Sequence, residues 1–298
     1  MKDDDRDRVR RQMESDKHNA RGIEAADRNW LDEAIREFKK AIELDPESAH
    51  AHDNLATVYC DKGEYLEALR EYLEAIRLEP ESPTAYYNLA CFLSTRGPDV
   101  AIEQYREAIR LEPEYPDAHV NLGLCYVDRG EDDRAIEAFR TACDLDPSDM
   151  GARQELAASL LDVGEYAEAI RHLKEVTRAE PHNLEAFIDL GIAYAEQGFF
   201  EESERAYLRA RELDPREILV PYHLAALYAV WDRPEDAHRT LAEALALDPK
   251  NVSMWTETDR RFDRLRAHPH FRELLQRAVH LERDDADGAA PTAFADLS

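Results

Sequence analysis

A proline that follows an acidic residue recurs through most of the chain at an almost constant interval. The interval is 34 residues in five cases and 33 in one, and the seven prolines are Pro46, Pro80, Pro113, Pro147, Pro181, Pro215 and Pro249. Self-similarity at this period is typical of stacked repeat arrays, in which each unit buries its apolar face against its neighbours. The sequence therefore predicts one structural unit repeated seven times, with a long continuous surface.

The residues within each unit predict a helix, a turn and a second helix. When the proline is counted as position 32, position 8 is always small: Gly22, Ala56, Ala90, Gly123, Ala157, Gly191 and Ala225. Apolar residues between these markers keep helical spacing, and a glycine such as Gly63 or Gly130 interrupts them midway. Proline disfavours helical dihedrals in the residue before it, so the acidic-proline step ends the second helix.

This pattern resembles the tetratricopeptide repeat, whose 34-residue unit is marked by Leu-Gly, Tyr, Ala, Phe, Ala and Pro. The most complete copy spans 116–149 and contains Asn121, Leu122, Gly123, Tyr126, Gly130, Ala135, Phe139, Ala142 and Pro147. The resemblance covers 15–249. It implies an all-α fold, a right-handed superhelical solenoid of about seven repeats whose first helices line a concave groove.

Two departures from the family pattern bear on the ends and the regularity of the array. Repeat one has Arg21 where the family has leucine, which predicts either a frayed unit or a polar cap. Repeat three lacks one residue in its turn, at 97–99, which predicts a local distortion.

The pattern also suggests a division of the chain into four segments. We expect a charged N-terminal extension over 1–14, seven repeats over 15–249, a C-terminal helical cap over 250–281 and a disordered acidic tail over 282–298. The cap answers a physical need, because the last repeat would otherwise expose an apolar face.

Charge and composition limit the partners and the compartment. The chain has 38 basic and 65 acidic residues, a formal net charge of −27, which repels nucleic acids and anionic lipids and favours a basic or neutral partner. A general role of the charge in solubility remains open. The first residues carry no apolar core of a secretory signal, no apolar run approaches about 20 residues, and the four cysteines form no Cys-x-x-Cys. We therefore expect a cytoplasmic protein without membrane insertion.

In the family geometry, positions 2, 5, 6, 9, 12 and 13 of each first helix face the groove. Eleven acidic residues and no Lys or Arg occupy these positions. Five of the acids share position 13 and would form a ladder: Asp27, Asp61, Asp128, Asp162 and Glu196. The pattern favours a cationic ligand, although a solvated polar face in an acidic protein would look the same.

Asparagine and apolar residues on the same positions suggest how a peptide would be held. Asn54, Asn88 and Asn121 share position 6, and an amide can both donate to and accept from a peptide backbone. Asparagine is also simply common there. The later repeats add apolar side chains such as Ile188 and Tyr222, unless the C-terminal segment closes that end. The predicted peptide-binding set is Asn54, Asn88, Asn121, Asp61, Asp128, Asp162, Asp189, Glu196, Tyr87, Ile188 and Tyr222.

Catalytic chemistry finds little support in the sequence. There is no Gly-rich phosphate loop, nucleophile elbow or metal-ligand spacing, so no cofactor, metal or catalytic residue is predicted. His52 and His119 occupy a packing position, and His223 lies on the groove face. The family's site for the acidic C-termini of heat-shock chaperones needs basic residues that the groove positions lack. The sequence predicts a non-catalytic scaffold or adaptor that binds a protein partner. A regulatory enzyme subunit, a helical-repeat RNA binder and any oligomeric state stay open.

Overall fold

The computed structural model of the chain describes residues 2–266, 270, 271 and 273–275. Within these ranges every regular element is a helix, and fourteen α-helices form seven antiparallel pairs. The pairs are α1 (Lys2–Asp27) with α2 (Leu31–Leu44), α3 (Ala49–Lys62) with α4 (Tyr65–Leu78), α5 (Pro83–Ser94) with α6 (Pro98–Leu111), α7 (Pro116–Asp128) with α8 (Asp132–Leu145), α9 (Met150–Asp162) with α10 (Tyr166–Ala179), α11 (Leu184–Glu196) with α12 (Phe200–Leu213), and α13 (Leu219–Val230) with α14 (Pro234–Leu247). The predicted all-α architecture of repeated helix-turn-helix units is confirmed.

The chain divides into two compact units. Unit 1, Met1–Asp149, holds α1 to α8, and unit 2, Met150–Ser298, holds α9 to α14 and the C-terminal residues. In both units the small residue at position 8 faces a ring from the second helix of the same pair. A Cβ at Gly123 would lie 2.6 Å from the ring of Phe139, and one at Gly191 would lie 2.4 Å from Tyr207. The close approach of the helices in these two pairs therefore requires glycine at position 8.

The turns inside the repeats explain the one-residue deletion in repeat three. Six repeats pass through a residue with positive φ between their two helices: Asn29, Gly63, Gly130, Gly164, Gly198 and Asp232. In repeat three Gly97 caps α6 with an extended φ of −159°, and no described residue of that turn has positive φ. The deletion therefore removes the left-handed residue. Its pair still packs, because Tyr105 and Ile102 of α6 stay buried.

The first helix is longer than the others and has a polar end. Helix α1 runs without a break from Lys2 to Asp27, so it spans both the charged N-terminal residues and the first helix of repeat one. Arg21 is exposed on it, whereas the equivalent Leu55 and Leu89 are only 2% and 3% exposed. The array thus begins with a polar side chain at the position that later repeats bury.

The residues after the last repeat pack onto unit 2. Helix α15 (Pro249–Thr258) and a 3₁₀ turn (Arg260–Phe262) follow α14, and Asp248 caps α15 by accepting a hydrogen bond from Asn251 N at 3.0 Å. Phe262 and Phe271 are fully buried in the same apolar cluster as α13 and α14. The rest of the predicted cap, residues 267–269, 272 and 276–281, and the predicted disordered tail, 282–298, lie outside the described residues.

Among the helices that the structure describes, none combines the length and the apolar character needed to cross a membrane.

Candidate functional site

The family resemblance assigns positions 2, 5, 6, 9, 12 and 13 of α1, α3, α5 and α7 to the groove, and we call this set of positions the groove face of unit 1. Here the three asparagines make one repeated contact, which we call the amide ladder: the position-6 amide of one first helix donates to the position-5 side chain of the preceding first helix. Asn54 Nδ2 donates to Asn19 Oδ1 at 3.1 Å, Asn88 Nδ2 to Asp53 Oδ2 at 2.6 Å, and Asn121 Nδ2 to Tyr87 Oη at 3.0 Å. The ladder therefore joins neighbouring repeats.

This arrangement decides what the asparagines can offer a ligand. Asn121 Nδ2 also donates to the backbone oxygen of Asp117 at 3.0 Å, and the ionised carboxylate of Asp53 can only accept, so the amides of Asn121 and Asn88 have fixed orientations. Both amide protons of Asn121 are thus engaged within the protein, whereas Asn54 and Asn88 each use one of their two in the ladder. A peptide can still use the second amide proton of Asn54 and Asn88 and the amide oxygens of all three, which accept no hydrogen bond from another described side chain.

The acids of unit 1 fall into two kinds. Asp61 and Asp128 are exposed at position 13, and no ion pair joins either to a described residue. Asp53 is largely buried, and its desolvation raises its pKa to about 6, although the hydrogen bond from Asn88 and the nearby His50 oppose this shift. The charges of Asp61 and Asp128 are screened by solvent, whereas burial makes the charged form of Asp53 unfavourable.

The groove face of unit 2 carries carboxylates where unit 1 carries amides. Position 6 is Glu155 in α9 and Asp189 in α11. Burial raises the pKa of Asp189 to about 7, and the negative charges of Glu185, Asp162 and Glu155 add to the shift. The pKa of Glu155 is also raised by burial and by Glu185. We call Glu155, Asp162, Glu185 and Asp189 the carboxylate cluster.

Hydrogen bonds support only part of the carboxylate cluster. Gln154 Nε2 donates to Glu185 Oε2 at 2.8 Å, and Asn183 Nδ2 in turn donates to Gln154 Oε1 at 2.7 Å. No donor from the described part of the chain reaches Asp189. Glu196, the other predicted acid of this unit, is exposed at the end of α11, and Ile188 is buried next to Asp189. Unit 2 therefore concentrates negative charge in a half-buried setting without a matching cation.

Tyr222, a predicted ligand contact, is instead engaged by the residues that follow the repeats. Its hydroxyl donates to Asp259 Oδ2 at 2.8 Å, and its ring lies 5.4 Å from that of Trp255 and 5.7 Å from that of Phe262. Only 6% of Tyr222 is exposed. A ligand has no access to this ring while the C-terminal residues stay in place.

Burial at other groove positions of α13 shows the same covering. At positions 9 and 12, Leu124 and Val127 of α7 are 37% and 41% exposed, whereas Ala226 and Ala229 of α13 are 0% and 3% exposed. The two alanines belong to the apolar cluster that includes Phe262. The C-terminal residues therefore cover the middle of this face in repeat seven, whereas Leu219 and Val230, at positions 2 and 13, remain 38% and 44% exposed. Covering by the C-terminal segment was one of the two possibilities that the sequence left open.

Three histidines singled out in the sequence, His52, His119 and His223, each contact other residues of the chain. His223 stacks on Tyr207, with ring centroids 5.7 Å apart, and burial lowers its pKa to about 4, so it is neutral at physiological pH. His52 Nδ1 lies 2.6 Å from Glu71 Oε2, and this contact raises the pKa of the imidazole. His119 is half-buried with Nε2 3.0 Å from Pro113 O. The packing position predicted for His52 and His119 thus also makes polar contacts.

The described residues contain no group of three or more His, Cys, Asp or Glu side chains suited to a metal ion. Sequence reasoning missed the partners of the ladder amides, Asn19 and Asp53, and the pairing of His52 with Glu71. The sequence did contain a signal for the ladder partners, because position 5 of one repeat and position 6 of the next lie on the same face of successive first helices. The sequence shows the spacing but not which atoms are used.

Comparison with known families matches most of the repeat region. Two models described as tetratricopeptide repeat match residues 92–149 and 160–227, and one described as TPR repeat matches 25–59 and 56–91. Together these ranges cover more than half of the chain. No curated protein matches the chain significantly.

Several solved structures are similar to this chain. YrrB, described as a TPR protein with an unusual peptide-binding site, is 27% identical, with a TM-score of 0.56 over 61% of this chain and 95% of YrrB. MamA from Desulfovibrio magneticus RS-1 is 27% identical, with a TM-score of 0.54 over 56% of this chain and 96% of MamA. PilF from Pseudomonas aeruginosa, at 23% identity and a TM-score of 0.62 over 70% of this chain and 96% of PilF, shares the fold.

Proposed function

This chain belongs to the tetratricopeptide repeat family, a family of protein-interaction scaffolds, and we propose that it binds a basic, partly apolar peptide or helix of a protein partner on its groove faces. One observation carries the proposal: the groove positions hold acids without any Lys or Arg, and in unit 2 two of these acids, Glu155 and Asp189, sit half-buried with raised pKa values. A carboxylate held in this way gains most from a cationic partner.

The predicted binding residues divide between the two units. In unit 1 the amide oxygens of Asn54, Asn88 and Asn121 accept from a peptide backbone beside Tyr87, while Asp61 and Asp128 attract its basic side chains. In unit 2 Asp162, Asp189 and Glu196 supply the charge, while Ile188, only 7% exposed within the apolar cluster of this unit, offers a ligand little surface. Tyr222 contributes by anchoring the C-terminal residues, which set the end of the open groove. The peptide-binding site reported for YrrB supports a peptide as the ligand class.

Magnitudes show why no single class of contact is sufficient. A micromolar complex needs about 8 kcal/mol, whereas a neutral hydrogen bond contributes about 0.5–1.5 kcal/mol and an exposed ion pair about 0.2–1 kcal/mol. Half-buried carboxylates interact more strongly with a cation because solvent screens them less. The affinity therefore comes from the carboxylate cluster and apolar contacts, and the amide ladder orients the chain.

Binding of this kind is linked to protons. A Lys or Arg side chain placed beside Asp189 lowers the raised pKa of that carboxyl, so complex formation releases a proton near neutral pH. The affinity for a basic peptide should consequently rise between pH 6 and pH 8. An uncharged peptide should show no such rise.

Charge reversal at matched positions tests the proposal. The groove variant carries Asp61→Lys, Asp128→Lys and Asp162→Lys. The control carries Glu43→Lys, Glu137→Lys and Glu201→Lys, which lie exposed on second helices and change the net charge equally. Fluorescence polarisation with a random peptide library enriched in Lys, Arg and Leu should show at least tenfold weaker binding for the groove variant only. Equal weakening in both folded variants would show that net charge, not the groove, attracts the peptide.

The proposal assigns no reaction to the chain and no role to nucleic acid or a membrane. The cytoplasmic location predicted from the sequence remains part of the proposal.

A further inference from the structure

The first half of α1 projects beyond the helix that it pairs with. Ser15 Oγ donates to the backbone oxygen of Ala41 at 2.9 Å, and α2 ends three residues later, at Leu44. Because α1 and α2 are antiparallel, the residues of α1 before about residue 12 extend past the end of α2. Every residue from 6 to 13 is exposed, whereas Ser15 is buried. We call residues 6–13 the arm.

One face of α1, from the arm to Lys17, combines cations with apolar side chains. Its residues are spaced i, i+3, i+4, i+7 and i+11, which places them on one side of the helix: Arg6, Val9, Arg10, Met13 and Lys17. Val9 and Met13 are 58% and 57% exposed. No ion pair joins Arg6 or Arg10 to a described residue, and Lys17 pairs with Glu14 of its own helix at 2.7 Å, an exposed contact that contributes little to stability. The face is therefore basic, partly apolar and available to a partner.

Helix α7 carries the complementary pattern on the groove face of unit 1. Its positions 2, 5, 9, 12 and 13 hold two acids with apolar residues between them: Asp117, Val120, Leu124, Val127 and Asp128. Leu124 and Val127 are 37% and 41% exposed. Asp117 and Asp128 are exposed, and no ion pair joins either to a described residue. The face of α7 is therefore an apolar stripe with a free carboxylate at each end.

The two faces match in the spacing of their charges. Arg6 and Lys17 are 11 positions apart, and so are Asp117 and Asp128, which corresponds to about 16 Å along each helix. Between these ends, Val9 and Met13 are four positions apart, the spacing that also separates the first two apolar residues of α7. Whether the helices run parallel or antiparallel, each end cation lies beside an acid and the apolar side chains meet between them.

We propose that the arm of one copy of the chain docks on α7 of a second copy. The inference rests on the proposed function, because α7 is part of the groove face, and it names the partner: a second copy supplies the basic, partly apolar helix. The arm cannot reach α7 of its own chain, because α1 is unbroken, the burial of Ser15 and Ala25 holds it in repeat one, and two repeats separate it from α7. The contact is heterologous and joins copies head to tail.

Docking also supplies the packing that the arm lacks. A helical segment of about 12 residues without tertiary contacts is marginal in water, because most helical stability in proteins comes from the burial of an apolar face. Covering Val9 and Met13 with the apolar stripe of α7 provides that burial on both partners.

Helix α11 has the same order of acids and apolar residues but exposes less apolar surface. Glu185 and Glu196 occupy its positions 2 and 13, and Ile188, Ile192 and Ala195 lie between them. Ile188 is only 7% exposed, and the other two are half-buried. The exposed stripe of α7 therefore makes it the acceptor, and α11 provides a matched control.

Two effects oppose docking. Each copy has a formal net charge of −27, and Asp16 borders the basic face of α1. At physiological ionic strength the Debye length is about 8 Å, so repulsion between distant charges of two copies is largely screened. Contacts between charges that touch are screened less, and the apolar contact is not weakened by salt. The local match therefore outweighs the overall repulsion, although it leaves the association weak.

The test is self-association of the full chain, measured by sedimentation equilibrium at physiological ionic strength. The wild type, over about 5 to 500 µM, should associate with a dissociation constant on the order of 100 µM, in the range of small transient interfaces. The arm variant, Arg6→Glu with Arg10→Glu, should associate at least tenfold more weakly. Its control, Arg8→Glu with Arg11→Glu, changes the net charge equally on the other side of the arm and should differ from the wild type by no more than about twofold.

A charge swap identifies the acceptor. The acceptor variant, Asp117→Lys with Asp128→Lys, should not self-associate measurably. Mixed with the arm variant, it should recover association to within about threefold of the wild type, because each reversed charge again meets its opposite. The control acceptor, Glu185→Lys with Glu196→Lys on α11, should not rescue the arm variant. Val9→Ser with Met13→Ser, which keeps every charge, should weaken association at least fivefold.

A wild type that stays monomeric up to about 500 µM would overturn the inference. So would equal weakening in the arm variant and its control, or a mixture of arm and acceptor variants that stays monomeric. A monomeric wild type that still binds the basic peptide library would overturn this inference alone and leave the proposed function standing. Association that the charge swap restores, in a chain that binds no library peptide, would support the inference and restrict the groove to this one partner.

Discussion

The two units of the chain share one repeat architecture but satisfy their groove positions differently. In unit 1 position 6 is an amide in α3, α5 and α7, and each of these amides donates to the preceding first helix. In unit 2 the same position holds Glu155 and Asp189, which repel the neighbouring Glu185 and carry raised pKa values. The comparison teaches that packing positions and groove positions of a repeat protein can change independently. The packing positions repeat throughout the chain, whereas the groove positions form a hydrogen-bonded network in unit 1 and hold carboxylates without enough hydrogen-bond donors in unit 2.

The largest expected effect concerns the C-terminal residues that close unit 2. Phe262 is fully buried against Tyr222 of α13 and Phe271. Phe262→Ala should reduce the free energy of unfolding of unit 2 by about 3–5 kcal/mol, because it removes a large ring and leaves a cavity. Hydrogen exchange of the α13 and α11 amides measures the loss. Phe199→Ala, at a ring that is 51% exposed in the same unit, is the control and should cost less than about 1 kcal/mol. Similar losses in both variants would contradict the closing role.

The next largest effect concerns how the ionisation of Asp189 changes the stability of unit 2. The folded-state pKa of Asp189 is about 7, above its ordinary value of 3.8, so the folded state holds a proton that the unfolded state releases between about pH 4 and pH 7. Stability therefore falls as pH rises through this window. Asp189→Asn should raise the free energy of unfolding by about 1–4 kcal/mol at pH 8 and by almost nothing at pH 4.

Denaturant titrations of Asp189→Asn at both pH values check this, with Glu201→Gln, an exposed acid of α12 outside the carboxylate cluster, as the control. A gain that is the same at pH 4 and pH 8 would place its cause outside the ionisation of Asp189.

A third substitution would leave a carboxylate of unit 1 without a hydrogen-bond donor, as Asp189 is in unit 2. Asn88→Ala removes the donor to Asp53 and leaves that carboxylate buried without a partner, which should cost about 1–3 kcal/mol. It should also raise the pKa of Asp53 further, because the hydrogen bond from Asn88 lowers it. In a double-mutant cycle with Asp53→Ala, most of this cost should disappear. Additive effects would mean that the amide ladder does not join the repeats energetically.

The smallest effect concerns His52. Its pKa is raised above 6.5 by Glu71, so the pair stabilises the fold fully below about pH 6.5 and loses this contribution as pH rises through the folded-state pKa. His52→Gln should therefore be less stable than the wild type at pH 6 by less than about 1 kcal/mol, since solvent screens part of the interaction. By pH 9 the electrostatic part of the difference should vanish. A difference that grows with pH would contradict this assignment.

The sequence predicted the repeats, their helix pairs and the shortened turn of repeat three, because these depend on local signals such as Pro113, Gly63 and the alanines at helix contacts. It placed Asn54, Asn88 and Asn121 on one face for the same reason. It did not show that they donate hydrogen bonds within the protein, because this depends on which side chain of the preceding repeat lies within hydrogen-bond distance.

The sequence also did not distinguish an open groove from a closed one at repeat seven. Tyr222 and Ile188 look alike as apolar residues at position 5. Only tertiary packing brings Asp259 and Trp255 onto Tyr222, from residues that no longer follow the repeat pattern. Sequence periodicity therefore identifies the face of a helix but not what covers it.

The most direct test of the account is the pKa of the Asp189 carboxyl, measured by ¹³C NMR in the free chain and with a lysine-rich peptide bound. The account predicts a pKa of about 7 in the free chain and a clear decrease in the complex, because the peptide supplies the cation that the carboxylate cluster lacks. A pKa near the ordinary value of 3.8 in the free chain, or one that the peptide leaves unchanged, would contradict it.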